Sequence, residues 1–169
     1  MPKFPLHLLA SFSCAWLLLW TPDVHASKVF EHCEIQGTGG NARRYADCIK
    51  LIRPENPADE NSTPIELSVA RIPTPSATPA EDAVLVINGG PGGASITLLA
   101  DFWQVFSQFG NKRDVLAMDQ RGTGQSSRLD CPSLSDPSAV TADASMMSQA
   151  SEQCLASLEA NPRHYTTST

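Results

Sequence analysis

One stretch constrains this chain more than any other, Ala83-Val84-Leu85-Val86-Ile87-Asn88-Gly89-Gly90-Pro91-Gly92-Gly93. Its first half is a short unbroken apolar run rich in β-branched residues, the composition of a strand covered on both faces in a parallel sheet. Its second half carries four glycines. Without Cβ atoms they tolerate positive φ, so successive backbone N–H groups can converge on one point and hold an anion. Pro91 sharpens the turn by fixing its own φ and pushing Gly90 toward an extended conformation. Ser95 then reads as the N-cap of a helix whose apolar face is Ile96, Leu99, Phe102, Trp103, Phe106 and Phe109, with Gly110 as its stop.

The anion held by such a nest is a phosphate or an oxyanion, and the spacing separates the two. A phosphate loop needs Lys followed by Ser or Thr after its glycines, and no lysine occurs between Lys50 and Lys112. A dinucleotide fingerprint needs Gly or Ala at its sixth position, where this register has Ser95 and the register beginning at Gly122 has Ser127. Gly37-Thr38-Gly39-Gly40-Asn41-Ala42 matches the fingerprint, but no apolar strand precedes it, and it reads as a loop. The oxyanion is the better fit, with no cofactor called for.

About 25 residues after the first cluster comes a second, Asp119-Gln120-Arg121-Gly122-Thr123-Gly124-Gln125-Ser126. Taken together, the two clusters resemble those of the α/β-hydrolase exopeptidases related to prolyl and tripeptidyl aminopeptidases. That family begins the first motif with His or Asn, and Asn88 falls within the range. The likeness runs over roughly residues 44 to 169. It implies an α/β fold, the N-terminal part of an α/β-hydrolase. In this fold an antiparallel hairpin leads into a parallel sheet with flanking helices, incomplete within this sequence. It also implies that the Gly90 amide, with Gly89 as neighbour, forms part of an oxyanion hole, and that the second motif shapes the loop after its strand. The Ala83-to-Ile87 strand would lie between the Asp114-to-Met118 strand and a strand beyond this sequence, leaving an open edge.

Residues 1–26 read as a signal peptide. Lys3 precedes a mostly apolar run from Leu8 to Trp20, and Val24-His25-Ala26 supplies the small residue before cleavage. About 13 apolar residues are too few to span a bilayer, where ~20 are needed. Cys14 sits in a poor lipidation context, so no membrane anchor is expected after cleavage. Removing Lys3 and Asp23 takes one charge of each sign and leaves the net charge at −6, a balance that argues against nucleic acid. Residues 27–169, with 41% hydrophobic residues across the whole chain, suit one modest exported domain, periplasmic or extracellular.

Export leaves Cys33, Cys48, Cys131 and Cys154, an even set in an oxidising compartment. Four cysteines allow three pairings, of which Cys33–Cys48 and Cys131–Cys154 are the simplest. A zinc site using His32 beside Cys33 lacks the usual ligand spacing, and four buried thiols are the remaining alternative.

Arg44 to Ile52 and Pro64 to Ile72 alternate in polarity and read as a hairpin. The proline-punctuated Pro54-to-Thr63 and Pro73-to-Pro79 segments read as its breaks. Asp114 to Met118 reads as a strand parallel to Ala83–Ile87, joined to it by a helical crossover. A loop over Asp130 to Asp143 precedes a helix ending near Ala160. Its apolar face includes Met146, Met147, Ala150, Cys154, Leu155 and Leu158, the methionines filling core. His32 and His164 read as surface or loop histidines with no acid placed to orient them.

A hydrolase of this type presents its serine in a G-x-S-x-G elbow, and no such pentapeptide occurs in the sequence. Ser95 and Ser126 each follow a glycine but lack the second one. By resemblance the nucleophile, acid and base would lie in that order beyond Thr169, and neither Asp114 nor Asp119 can replace them. The expectation is an N-terminal fragment of an exported serine peptidase acting on peptides with free N-termini. The alternatives are a non-catalytic truncated module that binds a ligand or partner, and an esterase of the same fold.

Overall fold

The computed structural model describes residues 29–90, 92–135 and 143–166. The expected leader and the turn role of Pro91 lie outside the described residues. The strands are β1 (Glu31–Gln36), β2 (Arg43–Pro54), β3 (Pro64–Ile72), β4 (Ala83–Val86) and β5 (Asp114–Met118). The helices are α1 (Ser95–Asp101), α2 (Trp103–Phe106), α3 (Pro132–Ser135) and α4 (Ala144–Ser157). The strands form one sheet in the order β1-β2-β3-β5-β4.

This arrangement corrects the expected fold. Three of the four strand pairings are antiparallel, β1 with β2, β2 with β3 and β3 with β5, and only β4 with β5 is parallel. The sheet is therefore mixed and mostly antiparallel, and it does not make an α/β-hydrolase parallel sheet with flanking helices. The physical reason lies in strand length. The hairpin strands run 12 and 9 residues, against 4 and 5 for the parallel pair, and β1 extends the antiparallel part further. The apolar run at Ala83–Ile87 is also not covered on both faces, since Leu85 is 51% and Ile87 61% exposed. Among the described residues β4 is the last strand of the sheet, and the run Ala83–Ile87 carries no charged residue to blunt that edge.

The main apolar cluster lies on one face of the sheet, while Ile65 and Val69 of β3 are buried on the other. In that cluster Ile35, Ala46, Ala70, Val86, Val115 and Ala117 are buried against Ile96, Leu99 and Ala100 of α1. β5 shows the alternation expected of a strand with one face packed, Val115 and Ala117 being buried between less buried neighbours. The tip of the β1–β2 hairpin is fastened to the far end of α1. The Asp101 carboxylate accepts from the Thr38 amide at 3.0 and 3.1 Å and from the Thr38 hydroxyl at 2.8 Å. A Cβ at Gly37 would collide with that carboxylate. A short 3-10 turn, Thr38–Gly40, occupies the fingerprint-like stretch. A strand does precede it, but a second strand rather than a helix follows.

The helix after the nest is shorter than its apolar spacing implies. It breaks at Phe102, with φ −107° and ψ 26°, and α2 is a single turn. Phe102 and Phe109 are 53% and 57% exposed, so only part of the apolar series faces the core. α4 ends at Ser157, and of its described residues only Cys154 is buried. Met146 and Met147 are exposed and fill no core. Asp143 caps α4, its side chain accepting from the Ser145 and Met146 amides. These bonds, chiefly the one from Met146, hold its carboxyl below the usual value. Disulfides join Cys33 to Cys48 across β1 and β2, and Cys131, just before α3, to Cys154 on α4.

Candidate functional site: a glycine nest and the loop that frames it

Asn88 closes the loop after β4 with four hydrogen bonds. Its N–H donates to Ser95 Oγ at 3.0 Å and its Nδ2 to the Ala94 carbonyl at 3.2 Å. Its Oδ1 accepts from the Gly89 amide at 2.9 Å, and its carbonyl accepts from Gln120 Nε2 at 3.0 Å. The Gly93 amide then donates to the Gly89 carbonyl at 3.1 Å. A Cβ at Gly93 would clash with the Asn88 side chain and the Gly89 carbonyl, so the tight return of the chain requires glycine there. Gly90 and Gly92 have φ of +124° and +90°, conformations that other residues adopt only with strain.

The two amides singled out by the sequence are used differently. Gly89 spends its N–H on Asn88 Oδ1. Gly90 is exposed, and its N–H has no hydrogen-bond partner among the described residues. Its direction is nevertheless set. In a trans peptide the C=O and N–H point to opposite sides, so the bond that holds the Gly89 carbonyl toward Gly93 turns the Gly90 N–H the other way. Among the described residues the Gly90 amide is thus an oriented donor, the element that an oxyanion requires.

The second glycine motif forms the frame. The Asp119 side chain is 1% exposed, and its two oxygens accept from the Ile96 and Gln125 amides, each at 3.0 Å. Asp119 therefore does the capping expected of Ser95. Ala94 is the N-cap and lends no side chain, while the fully buried Ser95 turns its hydroxyl to the Asn88 amide. Ser126 Oγ donates to the Asp119 carbonyl at 2.6 Å and accepts from the Ser68 amide at 2.8 Å, stitching the loop to β3. Ser127, at φ 40°, accepts from the Glu66 amide. Arg121 donates to the carbonyls of Glu55 and His164. Gly124 has φ +52°, and a Cβ there would strike the Asp119 carboxylate.

Between the two motifs lies an open cleft of ≈ 620 Å³, with Gly92, Ala94 and Thr97 on one wall and Thr123, Gly124, Gln125 and Arg128 on the other. Ser95 and Ser126 are fully buried and engaged in hydrogen bonds, so neither opens into it as a nucleophile.

The histidines stand apart from the nest. His164 lies in the 3-10 turn Pro162–Tyr165, its carbonyl held by Arg121. His32 does have an acid, contrary to the sequence reading, for its Nδ1 is 2.7 Å from Asp47 Oδ1. Pairing of His32 with Asp47, and of Asp47 with Arg71, places the three on one rung of the sheet. Arg71 donates to the other Asp47 oxygen at 2.9 Å. That bond above all, helped by His32 and opposed by burial, holds the Asp47 carboxyl below its usual value. The rung begins on β1, the opposite sheet edge from β4. Burial, reinforced by the charge of Glu55, pushes the Tyr165 hydroxyl above its usual value. Among the described residues no group of three His, Cys, Asp or Glu is arranged to hold a metal, and no helix is long and apolar enough to cross a membrane.

No protein-family model matches the chain, and no curated protein matches it in sequence.

Proposed function

We propose that residues 27–169 supply the oxyanion-binding side of an exported serine hydrolase that releases residues or short peptides from free N-termini. The observation that carries this reading is the Gly90 N–H, oriented by the Gly93-to-Gly89 bond and lacking a partner among the described residues. In the reaction a serine supplied by further sequence attacks the substrate carbonyl. The Gly90 amide shares the developing negative charge with the amide following that serine. The resemblance of the two glycine motifs to those of the exopeptidases supplies the substrate class. Two disulfides fit an oxidising compartment, and the export reading adds cleavage after Ala26, which N-terminal sequencing of the mature protein tests.

The deciding experiment is to read the gene past Thr169 and assay its natural product. A G-x-S-x-G run within a few tens of codons, with serine-reagent-sensitive hydrolysis of aminoacyl or dipeptidyl anilides, supports the proposal. Hydrolysis of simple esters alone would make the protein an esterase. A second reading, a non-catalytic binding module, is favoured by the burial of both serines that follow the glycine clusters. It prevails if the natural product ends at Thr169 and turns over none of these substrates.

A further inference from the structure

We infer that Gln120 is a positioning residue for the glycine nest, acting through the Asn88–Gly89 peptide on the direction of the Gly90 amide. The inference rests on the oxyanion reading above for its catalytic consequence, but its structural content stands on geometry alone.

The Asn88–Gly89 peptide is held at both ends by side chains. Its carbonyl accepts from Gln120 Nε2 at 3.0 Å and its N–H donates to Asn88 Oδ1 at 2.9 Å. The next peptide, Gly89–Gly90, is held by the Gly93 amide on its carbonyl side, leaving its N–H outward. The two planes share the Gly89 Cα, so a displacement of the first moves the pivot of the second, and because glycine's φ and ψ are soft the angle between the planes is fixed by the hydrogen bonds and not by the residue. Gln120 therefore restrains a peptide one step upstream of the proposed donor.

The restraint has a rigid origin. Asp119, directly before Gln120, is fixed through its amide to the Ser68 carbonyl, through its carbonyl to Ser126 Oγ, and through both carboxylate oxygens. Gln120 itself is exposed, and the described contact of its side chain spans 32 residues to Asn88. An exposed side chain with one long-range bond to a functional backbone contributes to placement more than to folding. The chemistry required at this position is a donor, since the target is a carbonyl oxygen.

The test compares Gln120→Glu, Gln120→Ala and Gln120→Lys in the natural gene product. Glu keeps the shape but, ionised, has no donor, whereas Lys restores one on a longer stem. Backbone amide exchange of the 88–93 segment is measured, with Gln104→Glu as a control for added charge on an exposed glutamine. Exchange at Gly89 and Gly93 is expected to rise about ten-fold in the Glu and Ala variants, the effect of losing one ordinary hydrogen bond. In the Lys variant and the control it should stay near the parent rate, with the melting temperature unchanged throughout. Exchange in both the Glu and Ala variants equal to the parent's would overturn the inference, whatever turnover does. Faster exchange with kcat down about ten-fold and KM unchanged supports both the positioning role and the oxyanion reading. Faster exchange with unchanged kcat keeps the positioning role and discards the oxyanion reading.

Discussion

Asn88–Gly93 and Asp119–Ser126 each follow a strand of the single parallel pair, and both are rich in glycine. In the first, the close return at Gly93 leaves the Gly90 donor outward. In the second, Gly124 has to be glycine because it lies against the buried Asp119 carboxylate. That loop turns its donors and acceptors inward, to α1, β3 and the Glu55 and His164 carbonyls. Glycine content alone therefore does not mark a site. What separates the two loops is where the backbone groups go, and the satisfied loop holds the unsatisfied one in place.

The comparison is broken most severely at Asp119. Asp119→Ala leaves the Ile96 and Gln125 amides without their charged acceptor. It should cost about 3–5 kcal/mol, two charge-assisted hydrogen bonds, read as a fall in denaturant midpoint. Asp119→Asn keeps one acceptor and should lose less, and a loss under about 1 kcal/mol in the Ala variant would show that the second motif is no frame.

Next comes the covalent extension of that frame. Replacing Cys131 and Cys154 by Ser releases a 23-residue separation and should cost about 3 kcal/mol in the chain-entropy model. Amide exchange should rise in α3 and α4 before it rises in the nest. Simultaneous loosening of the nest would merge the two regions into one unit.

In the first motif the effect should fall on turnover. Gly90→Val in an active gene product should lower kcat about 10²-fold, near 2.7 kcal/mol of barrier, because a side chain at φ +124° misplaces the donor. Circular dichroism separates this from unfolding. A folded variant with parent turnover would remove Gly90 from the proposed chemistry.

The smallest effect belongs to the Asp47 rung, which touches neither loop. Because the folded carboxyl is held below its unfolded value, its stabilisation is present above the unfolded pKa, about 4. It is lost as pH falls through the lowered folded value. Asp47→Asn should flatten stability against pH in that acid window, while leaving the nest's amide exchange unchanged. A change in nest exchange would couple regions that the structure keeps apart.

Much of the fold was legible from local pattern. The β2–β3 hairpin, β4, β5 and α4 each announce themselves by alternation, apolar runs or helical spacing. β1 does not, because in Glu31-His32-Cys33-Glu34-Ile35-Gln36 only Ile35 is buried, and an edge strand with so polar a face carries little periodic signal. The overall class is not legible in the sequence for a related reason. A four-residue apolar run looks the same whether it is covered on both faces or open at an edge, and pairing of β3 with β5 is a non-local event. Within the site, the glycines could be found from their order, but the acceptor that caps α1 lies 23 residues downstream of the amide it serves. No sequence window connects Asp119 to Ile96, nor Gln120 to Asn88.

The bond from Gly93 to the Gly89 carbonyl has one more implication. A peptide unit is a dipole with a donor on one side and an acceptor on the other, so rotating the Gly89–Gly90 plane by half a turn would not merely weaken the local field but reverse it. A carbonyl oxygen would then face whatever the amide faces now, repelling an anion and inviting a cation or a hydroxyl proton. With glycine on both sides of that plane, little in the side chains opposes such a reversal. The polarity of this part of the surface is thus held on its own plane by the 3.1 Å contact between two backbone groups, with the Gln120 and Asn88 side chains restraining the peptide before it.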